Sequence, residues 1–196
     1  MARVWAAIGV AASLLGAAGL TLAGRDGPGL AGYVSEAGVA GAPHAVLYHG
    51  TLVVLVAATG AAALALRAPA RLAALALGLA APCLLVSSAA RCTRGCPLPP
   101  FEPTTAGDLL HAGASIAAVG LCALAMLAAA WRALDQWVRR ASRWAAGFTI
   151  PVLVTMAVGL LTVGHGVFTG VVERISLIGC LGWLVTVCTL RTRPAP

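Results

Sequence analysis

The chain alternates between long apolar runs and short polar breaks. Six runs are long enough to cross a hydrocarbon core as α-helices, which takes about 20 residues each. They are Val4 to Ala23, Ala45 to Leu66, Leu72 to Ala90, Leu109 to Trp131, Trp144 to Gly164 and Ile175 to Leu190. The pattern predicts an all-α, polytopic membrane protein, a six-transmembrane-helix bundle forming one integral membrane domain over residues 1–196. The first run follows Arg3 and ends in small residues near Gly24, as a cleavable signal would. Its apolar stretch exceeds the roughly 7 to 15 residues of a signal core, so it reads as a retained helix. Pro82 and Pro151 fall inside the third and fifth runs, where each removes a backbone hydrogen bond and favours a kink.

Composition agrees with the pattern. Hydrophobic residues make up 60%, charged residues 10%, and the mean hydropathy is +0.94, more apolar surface than a water-soluble chain of this size can hide. The 13 basic residues are all arginine and outnumber six acids, for a net charge of +7. On one face they would suit nucleic acid. They lie instead in the breaks between apolar runs, where charges orient a membrane protein, so no nucleic-acid partner is expected.

With the N-terminus inside, the inner breaks hold Arg3, Arg67, Arg71, Arg132, Arg139, Arg140, Arg143, Arg191 and Arg193, and the outer ones Arg25, Arg91, Arg94 and Arg174. The bias predicts both termini in the cytoplasm, N-in and C-in. Trp5, Trp131 and Trp144 then fall at inner helix ends, as interfacial anchors do. The inner stretch RALDQWVRRASR, residues 132–143, is predicted to lie along the membrane surface with Trp137 and Val138 buried.

Polar chemistry collects on the outer side. Asp26, Glu36, Glu102, Asp108 and Glu173, five of the six acids, lie in outer connections with or beside all four histidines. The longest segment that cannot lie in lipid, Arg91 to His111, opens with Cys92 and Cys96. Thiols oxidise outside the cytoplasm, and a tight turn through Gly95 would bring the pair within bonding reach. A structural disulfide is therefore favoured over a metal site, which would need further thiolates. Cys83, Cys122, Cys180 and Cys188 lie inside the apolar runs and read as small hydrophobes.

Asp108 and His111 are three residues apart and share a helical face. Asp108, preceded by Thr104, Thr105 and Gly107, also suits a helix cap. His111 lies one turn into the membrane, where a polar side chain is costly without a partner, which makes it a site candidate. His165 and Glu173 bracket the last outer connection, and Glu173 beside Arg174 reads as an interfacial ion pair. Ser35, Glu36, His44 and His49 belong to the first outer connection and the top of the second run. His44 and His49 stand about 140° apart around a helix and make no chelating pair.

Two arrangements of these residues are expected. In the first, Ser35, Glu36, Asp108, His111, Glu173 and Arg174 line a polar pocket for a membrane lipid or other amphipathic ligand. In the alternative, His49, His111 and His165 hold zinc with one position open to water, as an intramembrane lipid hydrolase would. A third reading is a non-enzymatic scaffold or accessory subunit whose outer loops dock a membrane-protein partner. No GxSxG, phosphate-binding glycine loop or HExxH occurs in the sequence. No run carries an ionisable residue near its middle, which argues against transport.

Three pieces carry a resemblance: YVSEAG at Tyr33 to Gly38, PLPPFEPTTAGDLLH at Pro97 to His111, and VVERISLIGCLGW at Val171 to Trp183. With its six apolar runs, the chain resembles a family of six-helix bacterial membrane proteins catalogued as a domain of unknown function, DUF998. The first motif also looks like the Ser-acid-Gly turn of the eukaryotic DRAM and Sfk-type membrane families, some of whose relatives act in lipid remodelling. In DUF998 the segment before the fourth span often reads Phe-Pro-x-Asp, where this chain has Cys-Pro-Leu-Pro-Pro-Phe-Glu-Pro. The resemblance therefore carries over to Asp108 and His111 and not to Glu102. It implies a multi-pass protein of the bacterial plasma (inner) membrane with its polar site facing outside, and brings no established reaction.

Overall fold

A computed structural model describes residues 1–27 and 29–193. Six α-helices dominate it: α1 (Ala2–Ala23), α2 (Ala45–Leu66), α3 (Arg71–Ala89), α4 (Ala106–Arg132), α5 (Gln136–Thr162) and α6 (Val167–Thr192). No strand occurs among the described residues. All six are long and apolar enough to cross a membrane. The shortest, α3, has 19 residues; at about 1.5 Å per residue it roughly matches a hydrocarbon layer about 30 Å thick. The protein is thus a multi-pass membrane protein built from helix alone, the form that satisfies every backbone group within its own segment.

Each helix packs chiefly on its sequence neighbours, and α6 closes the ring against α1. Gly9 of α1 faces Cys188 near the end of α6, whereas Leu20 shares a cluster with Leu177 near its start. The two helices are therefore antiparallel, and the start of α1 and the end of α6 lie at one end of the bundle. This is called the terminal end here, and the opposite one the loop end. Close approach depends on small residues. A Cβ on Gly16 would run into the Leu55 side chain, and one on Gly19 into Thr51.

Connections at the terminal end are short. The Leu134 amide donates to the Pro69 carbonyl at 2.8 Å, tying the α4–α5 turn to the α2–α3 turn. Asp135 caps α5 by accepting from the amides of Trp137 (2.8 Å) and Val138 (3.3 Å). That cap corrects one expectation: the basic stretch is no separate surface segment, because Gln136 to Arg143 form the first turns of α5. Val138 is buried in the core while Trp137 is 56% exposed. Likewise α4 starts at Ala106 and not Leu109, and α6 at Val167 and not Ile175. Pro82 and Pro151 lie within unbroken helices. Trp5, Trp131, Trp137 and Trp144 are all substantially exposed near the terminal end, where an aromatic belt would sit.

The centre of the ring is filled in its terminal half. Leu66, Leu77, Met126, Val138, Trp183 and Val187 form one buried cluster there, and the Trp183 indole donates to Ser142 Oγ at 2.9 Å. A second cluster joins α1 and α2 through Leu20, Leu52 and Leu55. Between α4 and α5 the loop half is much less filled, since α5 buries only Gly159 beyond Thr149.

The small-residue seam of α1 generates a test. Gly16→Leu is expected to destabilise the bundle by about 1–3 kcal/mol through overpacking against Leu55, read as an earlier unfolding midpoint in detergent titrated with SDS. Gly50→Ala, whose added Cβ meets open space, should leave the midpoint unchanged or raise it slightly.

Candidate functional site

Two long connections cover the loop end, residues 24–44 and 90–105. The first carries two short 3₁₀ turns, Gly29–Ala31 and Val34–Gly38, and is fastened to α6 by charged side chains that bond to its backbone. Glu173 accepts from the Val34 amide at 2.7 Å. Arg174 donates to the carbonyls of Gly29 (2.6 Å), Gly32 (2.8 Å) and, within its own helix, Gly170 (2.8 Å). The expected Glu173–Arg174 ion pair is thereby replaced. Adjacent residues point about 100° apart on a helix, and each of these finds the loop backbone instead. The passage is tight, because a Cβ on Gly170 would stand 2.6 Å from the Leu30 carbonyl oxygen.

Glu36 secures the same loop to the α5–α6 corner. Its Oε1 accepts from the Tyr33 amide at 2.8 Å and lies 2.7 Å from His165 Nε2. The His165 ring meets Tyr33 edge to face, with centroids 4.9 Å apart. Burial raises the Tyr33 phenol above its ordinary pKa, so the group stays neutral. Gly164, at φ +74°, supplies the left-handed turn that ends α5 here.

The second connection is fastened by Asp108. Thr105 caps α4, its hydroxyl accepting from the Asp108 amide at 3.2 Å, while the Asp108 carboxylate accepts in return from the Thr105 amide (2.8 Å) and hydroxyl (2.7 Å). The same carboxylate accepts from the Thr93 amide at 2.6 Å and from the Thr93 hydroxyl at 3.1 Å. Asp108 is 1% exposed, and its oxygens are fully engaged within the protein. Cys92 and Cys96 form a disulfide with Cα atoms 5.1 Å apart, across a turn in which Gly95 takes φ +85°, a conformation open to glycine. The disulfide packs with Tyr33 in one buried cluster, so the two connections meet above the bundle.

Below them lies a cavity of about 350 Å³, within the range of small-molecule sites. Its roof includes Tyr33, Ser35, Cys96 and Leu98; its walls descend through Leu52, Leu55, Leu84, Val119 and Leu153. Of the residues predicted for a pocket, Ser35, Asp108, His111 and Glu173 line it, whereas Glu36 and Arg174 do not; the latter two hold the roof. Tyr48, Ser115 and Ser176 are lining residues that the sequence reading missed. Helical spacing was the available signal: Ser115 is one turn beyond His111, and Ser176 is three residues beyond Glu173.

On the α4–α5 side the lining residues Ile116, Gly120 and Ala157 are exposed. Along this side α5 buries only Gly159 beyond Thr149, and the two helices are tied at the terminal end. There Arg143 Nε donates to the Ala130 carbonyl at 3.2 Å.

The histidines do not assemble. His165 is held by Glu36, His49 Nε2 by the Gly38 carbonyl at 2.9 Å, and His111 Nδ1 by the carbonyls of Ser87 (2.9 Å) and Ala90 (3.0 Å). His44 pairs with exposed Asp26 at 2.8 Å. Among the described residues no three His, Cys, Asp or Glu side chains stand at metal-binding spacing. The expected zinc set of His49, His111 and His165 does not fit this geometry, because each ring is turned to a different loop or helix end.

Asp108→Ala would remove the acceptor shared by two amides and two hydroxyls, those of Thr93 and Thr105, which are exposed residues that water can reach. A loss of about 1–3 kcal/mol is expected, together with faster proteolysis within residues 91–105 at unchanged helix content by circular dichroism. Ser35→Ala, which removes a hydroxyl that fastens nothing, should match the wild type in both measurements.

No curated protein and no solved structure matches the chain. A family model described as protein of unknown function (DUF998) matches residues 6–190. The match spans all six apolar helices and the loops that cover them, and the chain belongs to the DUF998 family.

Proposed function

We propose that this protein binds an amphipathic lipid in the loop-end cavity, with the alkyl chain against the apolar walls and the head group under the roof. One observation supports the reading: the cavity lies between the packed terminal half and the fastened loops, and its lining on the α4–α5 side consists of exposed residues, which we read as a lateral opening. A soluble ligand would need an opening through the roof. A lipid needs only the gap beside Ile116, Gly120 and Ala157, which faces its own solvent. Polar lining residues sit near the loop end and apolar ones below, the gradient a lipid monolayer itself has.

Orientation follows from charge. Nine arginines stand at the terminal end and four at the loop end, which supports cytoplasmic termini and a cavity in the outer leaflet of the plasma membrane. A disulfide in the roof is consistent with an oxidising compartment.

Ile116→Trp would fill the lateral opening. Mass spectrometry of lipids retained by purified protein should show one species enriched over bulk membrane in the wild type and at least about tenfold less of it in the variant. Equal retention would overturn the lateral-access reading. Orientation is checked separately with reporters fused after the last residue. A fluorescent protein should be bright there and a periplasmic phosphatase inactive, and the reverse pair would overturn it.

A further inference from the structure

The head group that the cavity accepts is legible in the hydrogen bonding of His111, granted the lipid-binding reading above. Nδ1 of His111 lies within bonding distance of two carbonyls, those of Ser87 and Ala90. Ser87 belongs to the last turn of α3 and Ala90 is its C-cap residue, and carbonyls at a helix end have no amide partner within the helix. The Ser87 hydroxyl also stands 3.3 Å from Nδ1, but the two carbonyls are nearer and can only accept, so Nδ1 donates and carries the proton; in the neutral ring Nε2 is then a lone-pair acceptor. His111 is 3% exposed, its Nε2 is buried without a protein partner, and the residue forms part of the cavity wall. No described protein group pairs with that nitrogen, and a ligand donor seated against the His111 wall would reach it through a small shift of the ring, since Nε2 itself has almost no accessible surface.

The rest of the polar lining offers hydroxyls, those of Ser35 and Tyr48 among them, but no cation. Asp108 and Glu173 line the cavity, and no Arg or Lys does. Arg174, the arginine nearest in sequence, is turned to the carbonyls of Gly29, Gly32 and Gly170. Ser176 donates to the Val172 carbonyl, and Ser115 pairs with Ser87 at 2.7 Å. An anionic head group would lie beside two carboxylates with no cation to offset its burial, which is strongly unfavourable.

We infer that the cavity selects amphipaths whose head group donates hydrogen bonds, a hydroxyl or an ammonium on an alkyl chain, with His111 Nε2 as the acceptor. Phosphate and carboxylate head groups are rejected. Ser87 and Ala90 act as positioning groups, since their carbonyls hold the ring in the tautomer that presents a lone pair.

Four probes with one chain and different heads test this: oleyl alcohol, oleylamine, oleyl methyl ether and oleate, measured by equilibrium binding to the full chain in nanodiscs. The alcohol and the amine should bind about tenfold or more tighter than the ether, the difference made by one buried acceptor left unpaired, and oleate should bind weakest. In His111→Phe the alcohol should fall to the level of the ether while the ether itself is unchanged, which also shows that the cavity is intact. If that variant does not fold, the wild type decides: the ¹⁵N signal of His111 Nε2 should move with the alcohol and stay with the ether. Glu173→Gln separates the two donors, weakening the amine alone if an ammonium is the favoured head and neither if a hydroxyl is. Equal binding of alcohol and ether, or tightest binding of oleate, overturns the head-group inference and leaves the lipid cavity standing. Failure of all four to bind, or binding unaffected by Ile116→Trp, overturns the cavity reading itself.

Discussion

Backbone amides and carbonyls outside helices must find partners near a membrane, where little or no water supplies them. The loop end of this protein is organised by that constraint. Its two long connections bring many such groups to the top of the bundle, and the charged residues found there bond mostly to backbone. Glu36 takes the Tyr33 amide, Glu173 the Val34 amide, and Asp108 the Thr93 and Thr105 amides; Arg174 supplies donors to Gly29 and Gly32. What looks like a cluster of catalytic side chains is first a set of fasteners.

A roof fastened in this way permits a void beneath it. The terminal half is close-packed around Met126 and Trp183, so the helices are held together there and can stand apart at the other end. The loop half keeps its spacing because both connections are fixed to helix tops and meet at the contact of Tyr33 with the Cys92–Cys96 disulfide. Fastened loops over a partly hollow half-bundle leave a cavity whose shape the loops and helix tops set, and for the proposed ligand such a preset shape would lower the ordering cost of binding.

Much of the fold was legible because hydropathy reports contact with lipid. The second run, Ala45 to Leu66, coincides with α2. Hydropathy does not report helicity, and this is why the starts of α4, α5 and α6 were placed too late. Gly107 and Asp108, Asp135 to Arg143, and Glu173 with Arg174 are polar turns of helix that leave the apolar layer or face the loops. The Asp108–His111 spacing marked one helical face, and the structure gives both residues to the cavity wall. Their partners were not legible, because they arrive through space: Ser87 is 24 residues from His111, and Glu36 is 129 from His165. The three histidines of the expected zinc set are not brought together for the same reason. Three histidines at one depth are near each other in a list of loops, but each ring is turned by a different backbone carbonyl or carboxylate.

His111 differs from the other fasteners in what remains after its backbone bonds are made. Glu36, Asp108 and Arg174 are engaged by the loops, and a change at any of them acts on the roof. His111 closes two carbonyls at the end of α3 with one nitrogen and holds the second nitrogen buried and unpartnered. An unpaired buried acceptor typically costs about 1–3 kcal/mol, and a Gln or Arg at this position could serve the α3 carbonyls without an imidazole lone pair. The residue is thus more costly than a purely structural role requires, and that excess is what a ligand donor would recover on binding. Under the proposed reading, fold and recognition meet at this ring: the end of α3 sets its tautomer, and the tautomer would set which head groups the cavity can hold.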